Sequence, residues 1–155
     1  MGQVRLSRGA ERLRPIGLGG LVREERGMRV AKDEVEGCLD IPGAVIRQRK
    51  DFGDASGFDT ISGEYFSLSA GVDTTPLFEG LEGDLCQCPH WGYVLGGRLT
   101  TTDANDVAET VQAGDLFYWP PGHNVRVDAD AEIVMFSPQR EHSHVIEHMI
   151  QKVGG

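Results

Sequence analysis

Cys86, Cys88, His90 and His123 carry the side chains in this sequence best suited to hold a transition metal. The first three alternate along Cys-Gln-Cys-Pro-His, so an extended strand would turn all of them to one face. His123 follows a Pro-Pro-Gly corner at 120–122, which would deliver it to the same mouth of a barrel. Two thiols and two imidazoles are a donor set typical of structural zinc, and iron accepts the same donors. Zinc is therefore the expected metal, with iron the alternative. The competing reading is plain packing. Buried free cysteine behaves as a small hydrophobe, Cys-x-Cys is not the usual ligand spacing, and Pro89 is placed to bulge the strand. A Cys86–Cys88 disulfide is disfavoured, because neighbouring same-face residues of one strand bridge poorly.

Other residues offer less. Tyr118 could present a hydroxyl to a bound small molecule, although aromatic residues in such strands mostly pack a core. Asp115, after the turn at Gly114, reads as a turn cap. His142, His144 and His148 fall on a terminal helical segment and read as part of its solvated face. Cys38 stands beside Leu39 and Ile41 and reads as packing. Asp103-Ala104-Asn105-Asp106 is a turn, too short for a calcium loop. No phosphate-binding glycine loop, nucleophile elbow or Ser/His/Asp set is visible.

The elements that must position these residues are short and mostly extended. Residues 32–37 predict a helical turn, 44–49 a strand, and 64–69 the start of another, with a polar glycine-containing loop at 51–63 between them. Residues 70–84 predict a connection of little pattern. From 85 onward strand signals recur at 85–95, 97–102, 107–111, 115–119, 124–127 and 132–137, the spacing of a sandwich or barrel. The period then changes. Ser137-Pro138 predicts a helix start, and Val145, Ile146, Met149, Ile150 and Val153 form one apolar stripe over a helix at 138–153. That stripe needs a surface, either the outside of its own barrel or a second subunit in a homodimer.

Composition agrees with one turn-rich β domain. The chain has 155 residues, with 21 Gly and 7 Pro between short apolar runs. A net charge of −9 disfavours nucleic acid and anionic membranes as partners. No apolar stretch approaches a membrane span. With 3 cysteines, an odd number, and no export signal, the reducing cytoplasm is the expected location. Residues 1–27 hold 6 Arg against 3 Glu, opposite in sign to the rest, and predict a disordered basic extension before a domain at 28–155.

Two runs stand out. Residues 90–97, His-Trp-Gly-Tyr-Val-Leu-Gly-Gly, read as a strand ending at a tight turn. Residues 114–122, Gly-Asp-Leu-Phe-Tyr-Trp-Pro-Pro-Gly, read as a turn, an apolar strand and a proline corner. The 16 residues between them hold a hairpin strand and a loop but would cramp a helical crossover. This order resembles the two-motif core of the cupin superfamily, with a further likeness to a small bacterial subgroup of unassigned function. The resemblance covers roughly 44–137. Gly97 matches the closing glycine of the first motif. His90 stands at its glutamate position, Cys86 at its second His and Asp84 at its first, while Phe78 replaces its opening glycine. Gly114, Pro120 and Gly122 match the second motif. Val125 stands at its His and Ala129 at its Asn, so the family's third metal-binding histidine is replaced, with His123 two residues earlier.

The resemblance implies an all-β, cupin-like antiparallel barrel (a jelly roll) followed by a C-terminal helix. It implies a small molecule or metal bound inside that barrel. A metal-dependent dioxygenase, isomerase or decarboxylase is the second expectation. A non-catalytic oligomeric module is the third.

Overall fold

The computed structural model describes residues 28–52 and 60–154. The basic extension predicted at 1–27 and most of the polar loop predicted at 51–63 lie outside the described residues. The elements run β1 (Gly37–Ile41), β2 (Ala44–Arg49), β3 (Ile61–Leu68), α1 (Thr75–Phe78), β4 (His90–Asp103), β5 (Ala108–Gln112), β6 (Leu116–Trp119), β7 (His123–Pro138) and α2 (Gln139–Val153). The strand predicted at 44–49 and the turn at its N-terminal side are found, the latter as a 3-10 turn at Lys32–Glu34. β1, which carries Cys38, was not foreseen.

All ladders are antiparallel, in the order β1-β2-β3-β7-β4-β5, with β6 also beside β4. The path is open: among the described residues β1 and β5 do not pair. Its two halves nevertheless wrap one core, in which Ile46, Phe66 and Ile133 of one half meet Leu99, Val111 and Val125 of the other. This is a jelly-roll arrangement. Each fully buried Ile or Leu of that cluster contributes about 2 kcal/mol.

Two long strands replace four predicted short ones. β4 runs unbroken through Gly96-Gly97, where a tight turn was expected. Register shifts between Val94 and Leu99 bend it, so the buried positions change parity from His90 and Val94 to Leu99 and Thr101. Gly97 makes the bend possible: its φ is +81°, and a Cβ there would lie 2.0 Å from the Asp130 carbonyl oxygen. Gly114 and Gly122 do lie at turns, and Asp115 Oδ2 accepts from the Gln112 N–H at 2.9 Å, capping the turn as predicted. Asp103 Oδ1 closes the β4–β5 turn, accepting from the N–H groups of Asn105 and Val107 at 2.8 and 3.0 Å.

α2 does not cover the outside of the barrel. Val145 and Met149 join the core cluster, and His142 stacks on Phe66 of the inner face at 6.3 Å. Ile150 and Val153 lie at its exposed margin. The predicted cap also differs. Pro138 occupies the N-cap position with no side-chain cap bond, while Ser137 still belongs to β7 and turns its hydroxyl inward.

Candidate metal centre

β4 and β7 bring the candidate residues together at one end of the interior. His90 opens β4 and His123 opens β7, and both rings are buried. Cys86 precedes β4 and makes an isolated antiparallel bridge to His123. In that bridge the Cys86 N–H donates to the His123 carbonyl at 2.9 Å, and the His123 N–H donates back to the Cys86 carbonyl at 3.2 Å. Thus backbone pairing, across 37 positions of sequence, holds a thiol against an imidazole. Residues 86–89 are not strand, because Pro89 interrupts them, yet Cys86 Sγ still reaches His90 Nε2 at 3.4 Å.

The ligand atoms of Cys86, His90 and His123 lie within 4.8 Å of one another, all three residues buried. Bond lengths of about 2.3 Å to sulfur and 2.1 Å to nitrogen place ligands of a tetrahedral zinc roughly 3.5 Å apart. The Cys86–His90 edge already has that length. Cys88 does not complete the set. Its thiol turns to the carbonyl oxygens of Pro89 and Pro138, at 3.5 and 3.9 Å. Cys86, Cys88 and His90 are all buried, as the expected alternation requires, but the clustered ligand atoms are those of Cys86, His90 and His123, so the predicted four-residue set contracts to three. Tyr118 is also outside it: its ring is half exposed on the outer face of the sheet, 5.3 Å from that of Trp91.

Both histidines present Nε2. The Nδ1–H of His123 donates to the Pro120 carbonyl at 2.5 Å, a bond that the proline corner sets up. His90 Nδ1 is 2.8 Å from Ser137 Oγ, and that hydroxyl donates in turn to Glu64 Oε2 at 3.2 Å. An ionised carboxylate only accepts, so the Ser137 proton points to Glu64 and its oxygen accepts from His90 Nδ1–H. Such outer partners fix the tautomer of a ligating histidine and raise its basicity.

Glu64 and His142 are the residues that sequence reasoning missed. Glu64 is 1% exposed, and its Oε1 accepts from His142 Nδ1 at 2.7 Å, Ser62 Oγ at 2.6 Å and Gln48 Nε2 at 2.9 Å. Burial alone would raise this carboxyl. Attraction to His142 and these hydrogen bonds outweigh it and hold the group below the usual carboxylate range. His142, read from the sequence as solvated, is buried, with its ring 4.4 Å from that of His90. A signal existed in β3, where Glu64 shares its face with Phe66 and Leu68 by period-2 alternation.

Burial sets the protonation of the cluster. It pushes the Cys86 thiol up to about 11, helped slightly by Glu64. It raises Cys88 too, with Cys86 and Glu64 adding to the effect. It lowers His123 to about 4 and His90 well below the ordinary imidazole value, both helped by the neighbouring His142. Both imidazoles are therefore neutral at pH 7, the form that ligates. Nearby, the Trp119 Nε1–H is buried with no partner, its ring 5.7 Å from His123 and 6.3 Å from His90.

No family model matches the chain, and no curated protein does. Solved structures do resemble it. An RmlC-like cupin from Shewanella frigidimarina is 17% identical with a TM-score of 0.50, over 74% of this chain and 93% of that one. Oxalate decarboxylase from Bacillus subtilis, a protein with Mn(II) centres, is 19% identical with a TM-score of 0.50. That match covers 69% of this chain but only 28% of the decarboxylase chain. At such identities the likeness is one of fold.

Proposed function

We propose that this chain, which has the cupin fold, binds a divalent transition metal inside its jelly roll through Cys86 Sγ, His90 Nε2 and His123 Nε2. The observation that carries the reading is the convergence of three buried ligand atoms within 4.8 Å, with both histidine tautomers already suited to ligation. Zinc fits best. One thiolate and two imidazoles are softer than the carboxylate and water sets that Mn²⁺ favours, and iron is the next candidate. Glu64 is not a ligand here, since both its oxygens are taken by Gln48, Ser62, Ser137 and His142. Its role is to hold Ser137, and through it His90.

Three protein ligands leave a tetrahedral ion one open position. A metal held there would supply a Lewis acid to whatever small molecule occupies that position. The chain's own contribution is a buried, shaped surround that includes Trp119 Nε1, which has no partner among the described residues, for a small ligand with an acceptor atom. That orphan donor favours the second reading, a metal-dependent enzyme of the dioxygenase, isomerase or decarboxylase type, over a closed structural site. The free thiols of Cys38, Cys86 and Cys88 suit the reducing cytoplasm.

Elemental analysis of protein purified without a metal-affinity tag tests the reading. About one zinc or iron per chain is expected, lost in Cys86→Ser and in His90→Ala. Metal-free protein that takes up neither ion, or variants that retain full occupancy, would overturn it.

A further inference from the structure

The Cys86–His90–His123 cluster is covered at one end of the barrel by a helix that takes no part in building it. Its three residues are 1%, 2% and 1% exposed. The bridge from Cys86 to His123, the bond from His123 to Pro120 and the contact of His90 with Ser137 all come from the strands and the proline corner. Trp119, Ser137 and His142 lie against the cluster. The first two stand in β6 and β7, and only His142 stands on a helix. No ladder joins α2 to the sheet. Its first N–H, that of Gln139, donates to the Thr60 carbonyl at 3.0 Å. Beyond that, the side chains of His142, Val145, Ile146 and Met149 seat it. Its last turns are latched to the residue after α1. His148 Nε2–H donates to the Glu79 carbonyl at 3.0 Å, and Lys152 Nζ lies 3.6 Å from Glu79 Oε2.

We propose that α2 is a lid: it leaves its seat as one unit while the sheet stays folded, and in leaving it opens the cluster to a metal ion or a small ligand. For the metal, this rests on the ligand set proposed above. Glu64 makes the opening tolerable. When His142 departs, Glu64 Oε1 keeps Ser62 and Gln48 and Oε2 keeps Ser137, so the buried carboxylate is not orphaned. His90 and His123 keep their outer partners too, so the site is preformed before the lid closes. The seat itself is only partly apolar. Three apolar side chains hold it, and the fourth contact is the buried His142–Glu64 pair, whose desolvation offsets much of its attraction. An element held by few apolar contacts opens locally, below the cost of unfolding the whole domain.

Hydrogen exchange and thiol labelling of the full, metal-free chain test this. Amides of α2 should be less protected than those of β4 and β7. A disulfide reagent, read at Cys86 by mass spectrometry, should find that thiol protected to the same degree as α2. The double variant His148→Ala/Lys152→Ala loosens the latch without touching the cluster. It should speed α2 exchange and Cys86 labelling together, by about fivefold. Protection of α2 as strong as that of the strands overturns the proposal, since the helix then leaves only when the domain unfolds. So does a Cys86 thiol that labels more readily than α2 opens, or only as slowly as the strands exchange. So does a variant that speeds α2 alone or changes neither. No metal enters these measurements, so the lid and the ligand set can fail separately. Where zinc is bound, a chelator should empty the variant about fivefold faster than the parent. Equal rates would overturn gating of the metal.

Discussion

His90 Nδ1 lies 2.8 Å from Ser137 Oγ, and this contact joins the Cys86–His90–His123 cluster to the buried Glu64–His142 pair. Ser137→Ala removes the acceptor. The orphaned N–H should cost about 1–3 kcal/mol of stability. Zinc affinity should fall roughly 10–100-fold as the ring loses its fixed orientation. Chemical denaturation and competition with a chelator measure the two effects, and parental affinity in this variant would sever the link.

The two cysteines should separate sharply. Cys86→Ser is expected to abolish tight zinc binding, whereas Cys88→Ser should leave it near parental. Because the Cys86 thiol titrates at about 11, binding near neutrality must release its proton. Apparent affinity should then fall about tenfold for each pH unit of acidification in that range. Calorimetry in buffers of different ionisation enthalpy counts the proton, and release of none would contradict thiolate ligation.

Acid should destabilise the metal-free protein. His123 falls from an ordinary 6.5 to about 4 on folding, so between those values the unfolded chain binds a proton that the folded chain does not. Stability from this group is complete above pH 6.5 and is lost progressively towards pH 4. His90 acts in the same direction. Glu64, lowered on folding, adds a further loss as pH drops below its ordinary 4.5. Thermal midpoints measured from pH 7 to pH 4 should drop, and His123→Asn should flatten part of the slope. A midpoint that stayed level would remove the argument from burial.

Gly97→Ala tests the bend. A Cβ would meet the Asp130 carbonyl oxygen and the Ala131 Cα at 2.0 and 2.6 Å, on a residue with φ +81°. Backbone atoms cannot swing aside as a side chain can. The expected loss is about 3 kcal/mol or more, read from the urea midpoint. A small effect would mean that β4 can bend elsewhere.

Along α2, two aspartates should behave differently. Ile146 is 4% exposed and Ile150 is 38% exposed. Ile146→Asp buries a charge and should cost several kcal/mol, while Ile150→Asp at the margin should cost about 1 kcal/mol or less. Equal losses in a thermal melt would show a different face turned inward.

Much of this fold was legible because its signals are local. Alternation marks β2, turn residues mark Asp103–Asp106 and Gly114, and helical spacing marks α2, each within a few consecutive positions. The closeness of Cys86 and His90 also follows from short range. What the sequence alone did not reveal is set by long-range pairing. The bridge from Cys86 to His123, the inward turn of Ser137 and the placing of His142 against Glu64 depend on ladders and packing between residues 37, 47 and 78 positions apart. The exclusion of Cys88 depends on its thiol turning to the carbonyls of Pro89 and Pro138, and the bend at Gly97 brings the Asp130 carbonyl too close for a Cβ. Period-2 reading assumes an unbroken pleat, and one bulge inverts every face beyond it. Local residue types therefore determined which elements form and which donors exist. Only the folded register decided which donors meet, and which apolar rows were left facing outward.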